Sequence, residues 1–196
     1  MKIFLDVGAH KGQTLKIALE EKYGFDKIYC FEPVSECCDV LRTYRDERVT
    51  ICEYGLLNKN CVMPIYSPGD FGASIFKDKP NRHATIARDA KFVRASDWFN
   101  NNLDDDNKVY LKLNCEGSEC DILDDLITSG EYRKIDVALI DFDVRKIPSQ
   151  KHRMNEIKPR LNKLNIPKIL YVDELNLGKT THDYFTHYWL DIAMQI

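Results

Sequence analysis

Short apolar runs alternate with longer mixed segments along this chain, and run length separates buried strands from one-sided helices. Lys2–Val7 (KIFLDV), Lys27–Phe31 (KIYCF), Val49–Cys52, Val109–Leu113 (VYLKL), Ile135–Ile140 (IDVALI) and Lys168–Val172 (KILYV) read as strands. Between them, Thr14–Tyr23 puts Leu15, Ala18 and Leu19 on one helical face, and Ser35 is a candidate cap for a helix reaching about Tyr44. Ser118–Ser129 reads as a helix closed by Gly130, and Gln150–Leu164 as one that stops before Pro167. Tyr184–Ile192 fits either a seventh strand or a short helix. Residues 58–90, interrupted by Pro64, Pro68, Gly69, Gly72 and Pro80, read as hairpin or loop over the sheet. The alternation predicts an α/β fold, a mostly parallel sheet with helices on both faces, in a single domain over residues 1–196.

A hydrophobic share of 44% and a charged share of 30% exclude wholesale disorder. No run of about 18 apolar residues occurs, so no membrane insertion is expected. Only Met1 and Lys2 precede the first apolar run, no export signal is seen, and a cytoplasmic location is the expectation. The seven cysteines lack paired metal-ligand spacings, so they read as free thiols, mostly core filler, with no metal. A net charge of -3 makes nucleic acid an improbable partner. Two basic stretches qualify this: residues 77–94, and 145–168 with eight Lys/Arg against Glu156 alone. Solvated surface is their first reading and RNA contact the alternative.

Open parallel sheets bind ligands at the carboxyl ends of their strands. There the chain reads Asp6-Val7-Gly8-Ala9-His10-Lys11-Gly12, leading into Gln13 and Thr14. The spacing is D-x-G-x-x-x-G rather than G-x-G-x-x-G, which weakens a dinucleotide reading. S-adenosylmethionine carries no phosphate. Asp6 would meet its ammonium, directly or through water, and loop amides its carboxylate. Phe31-Glu32-Pro33 closes the second strand about 20 residues on, where an acid pairs with ribose hydroxyls. Tyr54 and Gly55, after the third strand, complete the cofactor candidates together with Gly8, Ala9, His10, Gly12 and Asn114.

The strings DVGAHKGQTL, FEP and LKLNCEGSECDIL, in that order within residues 3–123, resemble the FkbM-type methyltransferases. Gly72-Ala73-Ser74 looks like that family's glycine/serine segment, and Ala95-Ser96-Asp97-Trp98 stands where it often has Leu-Asp-Asp. Beyond about residue 145 only general fold similarity remains. The resemblance implies a Rossmann-like class I methyltransferase fold with a seven-stranded sheet. It also implies methyl transfer from S-adenosylmethionine, often O-methylation of a carbohydrate or small-molecule acceptor. The family's aspartate in K-[ILV]-D-x-E-G is Asn114 here, so a charge-based role at that position is lost or moved.

For catalysis, Glu116 is the first candidate base and Asp141 the second, with Asn114 beside them. Ser74, Arg82, Arg88 and Glu119 are the candidates for acceptor binding, and Lys77–Arg94 is expected to form a flap favouring an anionic acceptor. Glu119 also suits a helix-stabilising role. Three alternatives stand beside this reading: an NAD-dependent oxidoreductase, a cofactor-binding but inactive module of a glycan-processing assembly, and an RNA methyltransferase.

Overall fold

The computed structural model describes residues 1–80, 86–164, 168–174 and 182–195. In chain order the strands are β1 (Lys2–Val7), β2 (Lys27–Phe31), β3 (Val49–Cys52), β4 (Gly55–Leu57), β5 (Cys61–Tyr66), β6 (Ala87–Arg94), β7 (Lys108–Leu113), β8 (Ile135–Ile140) and β9 (Lys168–Tyr171). The helices are α1 (Gln13–Ala18), α2 (Ser35–Leu41), α3 (Ala95–Asn102), α4 (Glu119–Ser129), α5 (Arg153–Leu161) and α6 (His182–Ala193).

Six strands pair in parallel in the order β3-β2-β1-β7-β8-β9, the doubly wound arrangement. The expected seventh strand is instead α6, whose Trp189, Leu190 and Ala193 pack with Leu15, Ile17 and Ala18 of α1. Its apolar residues recur at a helical rather than an alternating period, which suits a helix covering one face. The other face is covered by α3, α4 and α5 through Trp98, Phe99, Leu123, Leu126, Ile157 and Leu161. Strand alternation divides the core: Ile3, Leu5 and Val7 of β1 face the α3–α5 side, and Phe4 faces α1 and α6.

Of the two readings of residues 58–90, the hairpin is the one the described residues show. β5 and β6 pair antiparallel, β4 joins β6 in parallel, and together they make a second, three-stranded sheet. Leu57, Ile65, Ala90 and Phe92 of this sheet pack on Val34 and Cys37 beside the carboxyl end of β2. Ser35 is not the cap of α2. Val34 holds that position, and the Ser35 hydroxyl donates to Glu53 at 2.5 Å. All seven cysteines are free and five are buried. Gly130 takes the expected left-handed position after α4, with φ +85°.

Candidate active site

The sheet order reverses between β1 and β7, and the crevice outside their carboxyl ends opens into a cavity of about 230 Å³. Its floor is the loop after β1, the ends of β2 and β7, and residues 114–118. Its roof is the second sheet, through Leu56, Ile65 and Phe92, and the strap 69–75. No helix of the described residues is long and apolar enough to cross a membrane.

The loop after β1 is made by close backbone contact. Gly8 has φ +82°, and a β-carbon there would stand 1.9 Å from the Asn114 carbonyl oxygen, so only glycine fits. Its N–H and that of Ala9 both donate to the Phe31 carbonyl at 3.1 Å. The His10 N–H donates to Glu32 Oε2 at 2.8 Å. These amides, expected to receive a carboxylate, are therefore spent on joining β1 to β2. Of the candidate cofactor residues, Gly8, Ala9, His10, Gln13, Thr14, Glu32, Pro33, Gly55 and Asn114 line the cavity.

Three other expected cofactor contacts do not line it. Asp6 is fully buried, and the β1–β7 register sets it directly beside Lys112, whose Nζ lies 2.9 Å from Asp6 Oδ1. Its charge is answered from within, and Lys112 in turn donates to the Gly8 carbonyl at 2.8 Å. Gly12 caps α1 at φ +88°, where a β-carbon would strike the Tyr44 ring at 2.9 Å, so its role is packing. Tyr54 leans its ring on Phe31, 6.1 Å between centroids, leaving the cavity to its neighbour Gly55.

Glu32 is 6% exposed, and its other oxygen accepts the Val34 N–H at 2.9 Å. Burial pushes its carboxyl up to about 7, against the pull of these two N–H donors. His10 is bracketed by the Gly69 carbonyl at 3.1 Å and the Phe71 ring at 4.6 Å, which places the strap across the loop.

At the β7 end, Asn114 Oδ1 is buried with no hydrogen-bond partner among the described residues. Glu116 lines the cavity and forms an ion pair with Lys79, while the Ser74 hydroxyl, also in the lining, donates to the Glu116 carbonyl at 2.7 Å. Glu119 does not touch the cavity and is fully buried. It accepts N–H bonds from Cys115 (3.1 Å), Gly117 (2.9 Å) and Val144 (3.2 Å), so it clasps the turn rather than an acceptor. Burial raises its carboxyl to about 7.

Asp141 is held by Arg145 at 2.6 Å and lies outside the lining. Arg88 is exposed and paired with Glu36 of α2, again outside the lining, while Arg82 lies outside the described residues. His187 meets Glu20 at 2.6 Å on α6, also away from the cavity. Sequence reasoning passed over Lys112 and Lys79. A lysine inside the apolar run of β7 was the available signal for the first; the second had none beyond its basic stretch.

Comparison with models of known protein families finds no match, and neither does comparison with curated proteins. In structure the chain is similar to a solved methyltransferase. That protein is methyltransferase FkbM from Methylobacillus flagellatus KT, with a TM-score of 0.42 and 20% identity, over 65% of this chain and 29% of that one. The present chain thus spans less than a third of that protein's length.

The basic residues of 145–168 are largely matched. Arg153 and Arg160 of α5 pair with Asp121 and Asp124 of α4, both at 2.5 Å, and Lys158 pairs with Glu174 at 3.0 Å. Among the charged groups of the cavity lining, Lys112 is opposed by Glu32, Asp70 and Glu116. Lys112 is already paired with Asp6, so among the described residues the lining offers an anionic acceptor no lysine or arginine that is not already paired.

Proposed function

We propose that the chain is an S-adenosylmethionine-dependent methyltransferase acting on a hydroxyl of a neutral, sugar-like or other small acceptor. One observation carries the reading: Asn114, whose buried side-chain oxygen has no hydrogen-bond partner among the described residues, lines the crevice at the β1–β7 reversal together with Glu32. An ammonium needs such an acceptor, and a ribose needs such a carboxylate. The residues present therefore fit this donor, and asparagine in place of the family aspartate keeps an oxygen for the ammonium without its charge. Gln13, Thr14 and Lys112 are the remaining polar groups on that side for a carboxylate.

Bound there, the donor supplies an electrophilic methyl group on its sulfonium. The chain's own task is to align an acceptor oxygen and take its proton. Glu116 is the base in this reading, because it alone of the candidate carboxylates Glu116, Glu119 and Asp141 reaches the cavity. The strap and second sheet lie above it. The ion-paired state of α5 leaves the RNA reading with little support.

The test is transfer of labelled methyl groups from S-adenosylmethionine into fractionated sugar, lipid and RNA extracts. Label in the neutral sugar fraction is expected. Label in RNA alone would replace the acceptor class, and binding of the donor without label in any fraction would favour the inactive module.

A further inference from the structure

One buried cation beside the cavity has no part in the reading above. The Lys79 side chain is 1% exposed, paired with Glu116 Oε2 and 3.9 Å from Asp143 Oδ2. Asp143, itself buried, is also met by Lys146 at 2.5 Å and Arg145 at 3.5 Å. Burying an ammonium is costly, and such a lysine persists only where opposite charges repay it. Burial lowers the Lys79 pKa and Asp143 opposes that shift.

Glu116 supplies the second observation. Its φ is +60°, uncommon for a residue with a side chain and kept only where the surroundings over-determine it. Glu119 holds the N–H groups on either side of it, from Cys115 and Gly117. The Ser74 hydroxyl holds its carbonyl and Lys79 its carboxylate. Ser74 comes from the strap that roofs the cavity, and Lys79 from the chain that runs on from it. Asp78, next to Lys79, is tied separately, accepting from the Ser149 N–H at 2.8 Å and its hydroxyl at 3.1 Å.

We infer that Lys79 is a positioning residue, fastening the chain that continues the strap to the loop after β7 and aiming the Glu116 carboxylate at the acceptor end of the cavity. Because Asp78 keeps its own tie, losing the ammonium loosens the Glu116 loop and the strap while the segment stays attached at Ser149. The effect is local, unlike general unfolding.

Amide hydrogen exchange on Lys79→Met, Lys79→Arg and Glu116→Gln, read in peptides spanning 69–79 and 113–118, tests this. Lys79→Met and Glu116→Gln are each expected to speed exchange in both peptides at least tenfold. Lys79→Arg stays within threefold of wild type, and peptides from α4 and α6 do not change. Turnover enters only if the chain transfers methyl groups as proposed: it then falls at least tenfold in Lys79→Met and recovers in Lys79→Arg. Wild-type exchange in both Lys79→Met and Glu116→Gln overturns the role. Should Lys79→Met fail to fold, Glu116→Gln decides alone, since wild-type exchange there is equally fatal. No heat from wild-type protein with S-adenosylmethionine sinks the methyl-transfer reading and leaves the exchange comparison standing.

Discussion

The two loops that meet at the reversal of strand order are built on different principles. The loop after β1 turns on backbone contact: Gly8 and Ala9 share the Phe31 carbonyl, and Gly8 rests against the Asn114 carbonyl with no room for a β-carbon, with one side-chain bond each from Glu32 and Lys112 added to it. The loop after β7 is held by side chains, with Glu119 gathering three N–H groups and Ser74 and Lys79 gripping Glu116. A backbone-built loop shows itself in glycine spacing. The loop after β7 takes two of its side-chain partners, Ser74 and Lys79, from 42 and 37 residues away, and no spacing marks them.

The sharpest way to break this contrast is Gly8→Val. With a β-carbon 1.9 Å from a main-chain oxygen and φ at +82°, the substitution is expected to cost about 3–5 kcal/mol or abolish folding, read by urea unfolding. Near-wild-type stability would mean that the two loops do not depend on this close approach. Next in size, Glu116→Gln should keep the fold and most donor affinity but lower kcat by about 10²–10⁴. A change of only a few-fold would assign catalysis to alignment alone. Glu32→Ala should weaken donor binding by about 1–3 kcal/mol, and binding at wild-type strength would remove the ribose role.

A pH test separates what Glu32 does for binding from what it costs the fold. Burial raises its carboxyl to about 7, above the ~4.3 of an unfolded glutamate. Between those values the folded protein holds a proton the unfolded chain has released. The stabilisation is therefore complete below about pH 4.3 and is lost as pH rises through about 7. Glu119 has the same sign. Unfolding free energy should fall by roughly 1–3 kcal/mol per group from pH 5 to pH 8. Glu32→Gln should flatten part of that slope, and an unchanged slope would count against the burial account. Smallest of all, Arg88→Glu should leave donor affinity and turnover unchanged, since its exposed pair with Glu36 lies outside the cavity. A raised acceptor KM would restore Arg88 to the site.

Most of the fold was legible because buried parallel strands write themselves as apolar runs: β1, β2, β3 and β8 match their expected bounds. The last helix was ambiguous because Tyr184–Ile192 is apolar enough for either element. The second sheet was hidden because β5 and β6 are joined across a long insertion and half exposed, so neither shows a clean period. At the site, Gly8, Glu32 and Asn114 could be placed from strand ends alone. Asp6 could not, because its partner Lys112 is set by register between strands distant in sequence. Glu119 looks like a cavity residue from its place in the sequence, but the turn before it points two N–H groups at its carboxylate and Val144, beyond β8, adds a third.

Calorimetry on the folded chain tests the central claim most directly, because it needs no knowledge of the acceptor. Titration with S-adenosylmethionine and with its demethylated product should give one-to-one binding in the micromolar range, about -8 kcal/mol, while NADH gives none. Absence of heat with both methyl-cycle ligands, from protein that still melts cooperatively, would contradict it.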